Sequence, residues 1–344
     1  MATVLVTGGA GYIGTHILAV LAAHGHDCVC VDNYSNSSPR ALERVREIIG
    51  GTVHGYDVDI RDAAGLKTVL ARHPVDSVIH MAGLKAVGES VQFPARYHDN
   101  NVGGTRTLLE TLAASSVRKF VFSSSATVYG MAGRMPIAED APTAPTSPYG
   151  ENKLEIEGML ASLARRDPSW RVVNLRYFNP VGAHPGGRIG EDPAGVPNNL
   201  MPFVCQVAAG RLAALQVFGN DYPTPDGTGV RDYIHVMDLA EGHVAALEAM
   251  AGFAPGTVMT VNLGTGQGTS VLELVESFEK VNDVAIPRKF VARREGDVAV
   301  CYADASLAKA ALRWAARRGI DEMCRDAWNW QKNNPMGYGQ REAK

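Results

Sequence analysis

The chain has 344 residues, 46% of them hydrophobic and 20% charged, and a formal net charge of −3. That length exceeds what one hydrophobic core usually fills, so two lobes are expected, and the slight acidity disfavours nucleic acid or an anionic membrane as the main partner. Five cysteines (Cys28, Cys30, Cys205, Cys301, Cys324) form no CxxC and no metal-ligand spacing with histidine; with no signal-like segment or long apolar run, this reads as a soluble cytoplasmic protein with reduced thiols, no metal and no membrane partner.

In chain order, TVLVT (3–7) predicts a buried strand, followed by a helix through Ile17, Leu18, Val20 and Leu21. CVCVD (28–32) predicts a second strand, and a third ends at Asp59 and Ile60. VDSVIHMAG (75–83), KFVFSSS (119–125) and WRVVNLRYFN (170–179) predict three more. Such runs separated by helix-length segments specify βαβ units with right-handed crossovers. The fold expected is α/β, a Rossmann-type doubly wound parallel sheet over residues 1–180. Beyond 180 the pattern loosens into Gly/Pro-rich loops (NPVGAHPGG, EDPAGVPNN, GNDYPTPDGTGVRDY) of the kind that carry function. Residues 181–344 are expected to form a smaller mixed α/β substrate lobe. The β segments at 230–236 and 257–263, with a helix from Leu239 to Met250, are candidates to rejoin the first lobe over about 230–262. The tail after Pro335 is expected to be loosely held.

In parallel sheets ligands sit beyond the carboxyl ends of the strands. There, TGGAGYIG places Gly8, Gly11 and Gly14 after the first strand and at the head of a helix. Small residues admit a pyrophosphate, and helix N–H groups hold its charge; the alternative is a plain strand-to-helix turn. Asp32 ends the second strand where a carboxylate accepts both adenosine ribose hydroxyls, and its charge repels a 2′-phosphate, which selects NAD over NADP. Asp59 and Ile60 are placed to read an adenine edge. Ala82 and Gly83 end the next strand with the small residues that a backbone beside a cofactor needs, and Lys85 just beyond can reach a ribose or phosphate.

FSSSATVYG ends a buried strand with Ser123, Ser124 and Ser125, and SPYGENK supplies Tyr149 and Lys153 on one helix face. A tyrosine is a poor base at neutral pH. An adjacent ammonium and a cationic nicotinamide can favour its anion by about 4 kcal/mol. Alternation puts Ser123 and Ser125 on one strand face and turns Ser124 away.

TGGAGYIG, GLKAVGES, FSSSATVYG, SPYGENK, RYFNPVGAHP, GNDYPTPDGTGVRDYIHV and RREGD together resemble the UDP-glucose 4-epimerase family of extended short-chain dehydrogenases/reductases, over about residues 3 to 338. Departures are Glu151 and Asn152 inside the YxxxK helix and Met81 before Ala82, where an aromatic is frequent; none removes a reacting group. The resemblance implies that Tyr149 is the base, Lys153 its assistant and Ser125 the hydroxyl facing the sugar. It implies transient oxidation at C4 by tightly held NAD, rotation of the keto sugar and return of the hydride to its other face. Cofactor contacts implied, besides the residues above, are Tyr12, Ile13, Asn33, Asn36, Ser37, Met81, Asn100, Ser123 and Tyr177.

For the UDP-sugar, the resemblance adds Phe178, Asn179, Asn199, Leu200, Gln216, Tyr233 and Val271, with Lys85, Ser125 and Tyr149 shared. Arg231 and Arg294 suit a pyrophosphate, because guanidinium pairs with phosphate bidentately. Phe218 is placed to stack on uracil and Asp297 to accept from ribose hydroxyls. A homodimer through helices near 97–114 and 150–166 is also implied. A 4,6-dehydratase on this fold would carry Asp-Glu beside the active-site threonine, where this chain has Ser125, Ala126 and Thr127. A non-catalytic NAD sensor would lack the Tyr/Lys pair, and a dehydrogenase would exchange its cofactor.

Cys301, in VCYADAS, admits four local readings: core filler, nucleophile, disulfide half or space-saving neighbour of a ligand. In the family this position resembles a gate, where tyrosine confines the site to plain hexoses. A small residue leaves room for a C2 acetamido group. The expectation is turnover of UDP-glucose/UDP-galactose and also of their N-acetylated counterparts.

Overall fold

The structure, a computed structural model, describes residues 2–193, 197, 199–294 and 296–339. Positions 194–196 and 198 of the EDPAGVPNN loop, Glu295 of RREGD and residues 340–344 of the tail lie outside the described residues. Among the described residues no helix is long and apolar enough to cross a membrane, and no group of His, Cys, Asp and Glu is arranged to hold a metal.

The first half alternates strand and helix: β1 (Thr3–Thr7), α1 (Tyr12–Ala23), β2 (Asp27–Asp32), α2 (Pro39–Ile49), β3 (Val53–Asp57), α3 (Ala63–Arg72) and β4 (Ser77–His80). It continues with α4 (Val87–Gln92), α5 (Pro94–His98), α6 (Gly104–Ala113), β5 (Lys119–Ser125), α7 (Pro148–Arg166) and β6 (Arg171–Tyr177). The second half holds β7 (Asn179–Val181), α8 (Leu200–Ala208), β8 (Leu215–Phe218), β9 (Val230–Arg231), β10 (Tyr233–His235) and α9 (Val236–Ala249). After these come β11 (Val258–Leu263), β12 (Thr269–Ser270), α10 (Val271–Asn282), β13 (Arg288–Val291), β14 (Val300–Cys301), α11 (Ser306–Leu312) and α12 (Ile320–Asn333).

Seven strands form one parallel sheet in the order β11-β6-β5-β4-β1-β2-β3. The order reverses between β1 and β4, the switch point at which such sheets open a crevice for a ligand. Period-two alternation divides the strand side chains between two cores. Val4, Val6, Cys28 and Cys30 pack with Ile17 and Leu18 of α1 and with Leu239 and Val244 of α9. Leu5, Val29 and Val31 face Leu66, Leu108, Leu112, Ile156 and Leu160 on the other side. A third core under the C-terminal segments gathers Val181, Met201, Val204, Val217, Leu274, Phe278 and Met323.

Four local expectations need correction. The third strand ends at Asp57 instead of Asp59–Ile60: the Asp62 N–H donates to the Asp59 carbonyl at 2.9 Å and turns the chain. The 75–83 run is a strand only over β4: the Met81 N–H donates the last rung to the Thr7 carbonyl at 3.1 Å, and β1 ends there. The 230–236 run splits at Asp232, whose N–H donates to the Cys301 carbonyl (3.0 Å) while its carbonyl accepts from the Asn179 N–H (3.0 Å). The tail is not loose as far as it is described: Tyr338 is 5% exposed and packs in the first core.

Candidate active site

Beyond the carboxyl ends of β1, β2 and β4 lies a cavity of about 380 Å³. Its floor follows from the glycines. Gly8 has φ +68°, and a Cβ there would stand 2.8 Å from the Ala82 nitrogen, so the glycine loop lies directly against the end of β4. No side chain caps the first turn of α1, which starts after Gly11; its N–H groups and the helix dipole therefore remain available to an anion. Asp32 is buried and accepts from the Ala10 N–H (3.0 Å), the Tyr34 N–H (2.9 Å) and the Ser37 hydroxyl (2.7 Å). Burial raises its pKa against the pull of these donors.

Most of the predicted cofactor residues line this cavity: Gly8, Gly11, Tyr12, Ile13, Gly14, Asp32, Asn33, Asn36, Ser37, Ile60, Met81, Ala82, Gly83, Lys85, Asn100, Tyr149, Lys153 and Tyr177. Two stand behind the lining. Asp59 holds Asn33 at 2.9 Å and pairs with Arg61, whose hydrogen bonds depress its pKa. Ser123 is buried behind Met81, and its hydroxyl faces His243 Nε2 at 3.0 Å. The His243 Nδ1 lies 2.8 Å from the Leu239 carbonyl, which fixes the proton on Nδ1 and leaves Nε2 as acceptor.

The reacting groups converge where β5 meets α7. Ser147 caps α7 by accepting the Gly150 N–H (3.2 Å), Pro148 opens the first turn, and the Tyr149 N–H donates to the Ser90 hydroxyl (3.2 Å). One turn on, Lys153 Nζ donates to the Ser123 carbonyl (2.8 Å) and sits 5.7 Å from the Tyr149 ring centre. Ser125, at the tip of β5, caps the turn Ala126–Tyr129 by accepting the Thr127 N–H at 3.2 Å, and its side chain stands beside Tyr149. Ser124 points the other way, as alternation requires, onto Glu157, which forms a buried pair with Arg176 at 2.6 Å. Burial, reinforced by Tyr177, drives the Tyr149 pKa up, with only the Ser125 hydrogen bond pulling it down. Burial also lowers Lys153 to about 8. In the chain alone desolvation outweighs the ammonium, so an ionised Tyr149 needs positive charge brought by a ligand.

The second half assembles a distinct cluster. β14 pairs with β9, setting Cys301 beside Arg231 in register. Arg231 Nη1 is held by the Val230 (2.9 Å) and Val298 (2.8 Å) carbonyls, while Nη2 lies 3.7 Å from Asp297. The Arg294 guanidinium stacks 3.9 Å from the centre of the Phe218 ring, on the strand that also carries the exposed Gln216. Cys301 is half-buried against the Phe178 cluster, and burial raises its thiol pKa, which leaves it a poor nucleophile. Asn179 opens β7, Leu200 opens α8 and Val271 opens α10. Asn199 Nδ2 and Lys85 Nζ meet on one oxygen of Glu191, at 2.8 and 3.2 Å. The Tyr233 side chain lies in the third core. Among the predicted UDP-sugar residues, only Lys85 and Tyr149 also line the cavity.

Sequence reasoning missed the wall built from Gly190, Glu191, Asp192, Pro193 and Tyr338. The first four fall in or beside a loop flagged as functional; nothing local marks Tyr338. His243 was missed for the same reason, being 120 residues from the serine it holds.

A doubly wound sheet with a glycine loop at its switch point, an aspartate ending β2 and a Ser-Tyr-Lys cluster defines a dinucleotide-dependent protein of the short-chain dehydrogenase/reductase class. Residues 4–264 match the NAD dependent epimerase/dehydratase family. A UDP-glucose 4-epimerase of Bacillus subtilis (strain 168) is 55% identical over 339 residues, 98% of this chain and 99% of that one. The solved UDP-glucose 4-epimerase of Stenotrophomonas maltophila, with bound NAD and formylated UDP-arabinopyranose, has a TM-score of 0.95 at 49% identity, covering 97% of this chain and 99% of that one. That of Bifidobacterium longum, in complex with NAD+ and UDP, has a TM-score of 0.93 at 53% identity, with the same coverage. The chain belongs to the NAD dependent epimerase/dehydratase family and, within it, to the UDP-glucose 4-epimerases.

Proposed function

We propose that the chain is an isomerase that interconverts UDP-galactose and UDP-glucose by NAD-dependent 4-epimerisation, and that it also accepts the C2-acetamido counterparts. The observation that carries the reading is that Tyr149 and Lys153 line one edge of the dinucleotide cavity, with Ser125 beside Tyr149, in a chain 55% identical to a UDP-glucose 4-epimerase. The cavity fits NAD: Asp32 is a buried acceptor at the end of β2, and the Gly8 loop leaves no room for a Cβ but admits a phosphate.

When bound, NAD supplies a reversible two-electron acceptor, so the net reaction is redox neutral. Tyr149 takes the proton of the sugar 4-hydroxyl and gives it back; the Lys153 ammonium favours its anion; Ser125 orients both hydroxyls. Arg231 and Arg294 hold the pyrophosphate, Phe218 stacks on uracil and Asp297 accepts from the ribose. Asn179, Asn199 and Gln216 add polar contacts, with Phe178, Leu200, Tyr233 and Val271 shaping the pocket. Residues 1–180 serve as the NAD domain, rejoined over about 230–262, and the remainder as the nucleotide-sugar lobe. The protein works in the cytoplasm as a homodimer through the faces near 97–114 and 150–166; the exposed Val91 and Phe93 just ahead of the first face support that association.

Product analysis by NMR from UDP-galactose and from UDP-N-acetylgalactosamine tests the assignment; formation of neither gluco epimer overturns it. Tyr149→Phe is expected to keep NAD and to lose turnover about 10²–10⁴-fold. The small size of the Cys301 side chain carries the acetamido reading, so Cys301→Tyr is expected to abolish the second conversion and spare the first. A wild type inert toward the acetamido sugar sinks the gate and leaves the epimerase standing.

A further inference from the structure

Part of the wall of the dinucleotide cavity comes from two segments far from the glycine loop in sequence: residues 190–193 and Tyr338. They are built for each other. The Tyr338 hydroxyl accepts the Gly190 N–H at 3.2 Å and donates to the Gly190 carbonyl at 3.3 Å, while the Tyr338 N–H donates to the Asp192 carboxylate at 3.1 Å. The Trp330 indole N–H donates to the Glu191 carbonyl at 3.2 Å, and the Trp330 and Tyr338 ring centres stand 4.9 Å apart. Glycine is needed on both sides of the contact. A Cβ on Gly190 would collide with the Trp330 ring, and one on Gly337, where φ is +59°, would collide with the Asp192 carboxylate.

The same latch reaches α2, the helix that follows Asp32. Arg44, on that helix, lies over both rings at 5.5 and 5.2 Å, and Arg40 donates to the Tyr338 carbonyl at 3.3 Å. Through Glu191 the strap also holds Lys85 and Asn199, one from each half of the chain. Residues 190–193 are thus fixed by the C-terminal segment on one side and by ligand-handling side chains on the other.

We infer that Tyr338 is a positioning residue for the dinucleotide: it latches the 190–193 strap against the cavity so that the cofactor is retained from one turnover to the next. The inference rests on the reading that this cavity holds NAD. An enzyme that returns the hydride to its own substrate has no use for cofactor release, so slow dissociation is the property a latched wall supplies. Removing the ring and its hydroxyl bonds frees the strap and leaves the reacting groups Ser125, Tyr149 and Lys153 in place.

The test is the rate at which NAD leaves purified full-length wild type, Tyr338→Ala and Tyr338→Phe during repeated desalting, with released NAD quantified by chromatography. Two lost hydrogen bonds and the lost ring contact predict roughly tenfold or faster loss from Tyr338→Ala, and a few-fold for Tyr338→Phe, which keeps the ring. The kcat of both variants should return to near the wild-type value on adding saturating NAD, a recovery that a general folding defect does not produce. If Tyr338→Ala fails to fold, Tyr338→Phe carries the test alone. NAD loss at the wild-type rate from the folded variants overturns the latch. Wild type that binds no NAD overturns the underlying cofactor reading instead.

Discussion

Burial acts on Tyr149 and Lys153 in the same sense, favouring the neutral form of each. For the phenol this raises the pKa; for the ammonium it lowers it to about 8. The lysine is therefore cationic below about pH 8 and neutral above it, and only the cation favours a phenolate beside it. The expected kcat/KM profile for UDP-galactose falls on the alkaline side as pH rises through about 8, well before a solvent-exposed lysine near 10.4 would titrate. A profile flat to pH 9.5 removes the charge of Lys153 from the mechanism; apparent values belong to the coupled pair. At this scale the YxxxK spacing and the serine alternation were legible because they are local. The groups behind them were not: Glu157 under Ser124 and His243 behind Ser123 are brought up by tertiary packing, over sequence separations that no local pattern spans.

Elements divide according to what holds them. β1, β2, β5 and β6 announce themselves as apolar runs because they are buried on both faces. β9, β12 and β14 are two residues each; β9 falls inside the 230–236 run and β14 in the alternation of Val298 and Val300, but nothing in the sequence paired them, although they join Arg231 to Cys301. Strands so short do not persist by themselves. The missing constraint is Asp232, fully buried, whose carboxylate accepts from the Thr265 N–H (2.8 Å), the Thr265 hydroxyl (2.7 Å), the Gly266 N–H (3.0 Å) and the Ala303 N–H (3.1 Å). One side chain thus ties the β9–β10 junction, the loop after β11 and the arm after β14. Asp232→Asn replaces an acceptor oxygen with a donor among donors and is expected to cost about 1–3 kcal/mol of stability. It should also raise the KM for UDP-galactose and leave bound NAD unchanged. Denaturant titration together with kinetics checks it; an unaltered KM would show that the arm keeps its place without the carboxylate.

At the scale of the whole molecule, the cavity lining runs from Gly8 to Tyr338, so the two ends of the chain meet around one ligand site. The doubly wound sheet was legible from strand spacing, but this closure was not, because a tyrosine near the end of a polar tail carries no local signal of burial. The closure has a thermodynamic consequence. A ligand that touches the glycine loop, the ends of β2 and β4, the 190–193 strap and the tail binds only the folded chain, so its binding energy adds to global stability. At a roughly hundredfold excess over Kd that amounts to about 2.7 kcal/mol, several degrees in Tm. Protein stripped of NAD is therefore expected to melt several degrees lower than the same protein reloaded with NAD, in one cooperative transition. Scanning calorimetry of the two forms decides the matter. A second, NAD-insensitive transition would mean that the C-terminal segments unfold apart from the sheet and do not close the site, whereas a single transition displaced as a unit ties the tail, the strap and the sheet to the same bound dinucleotide.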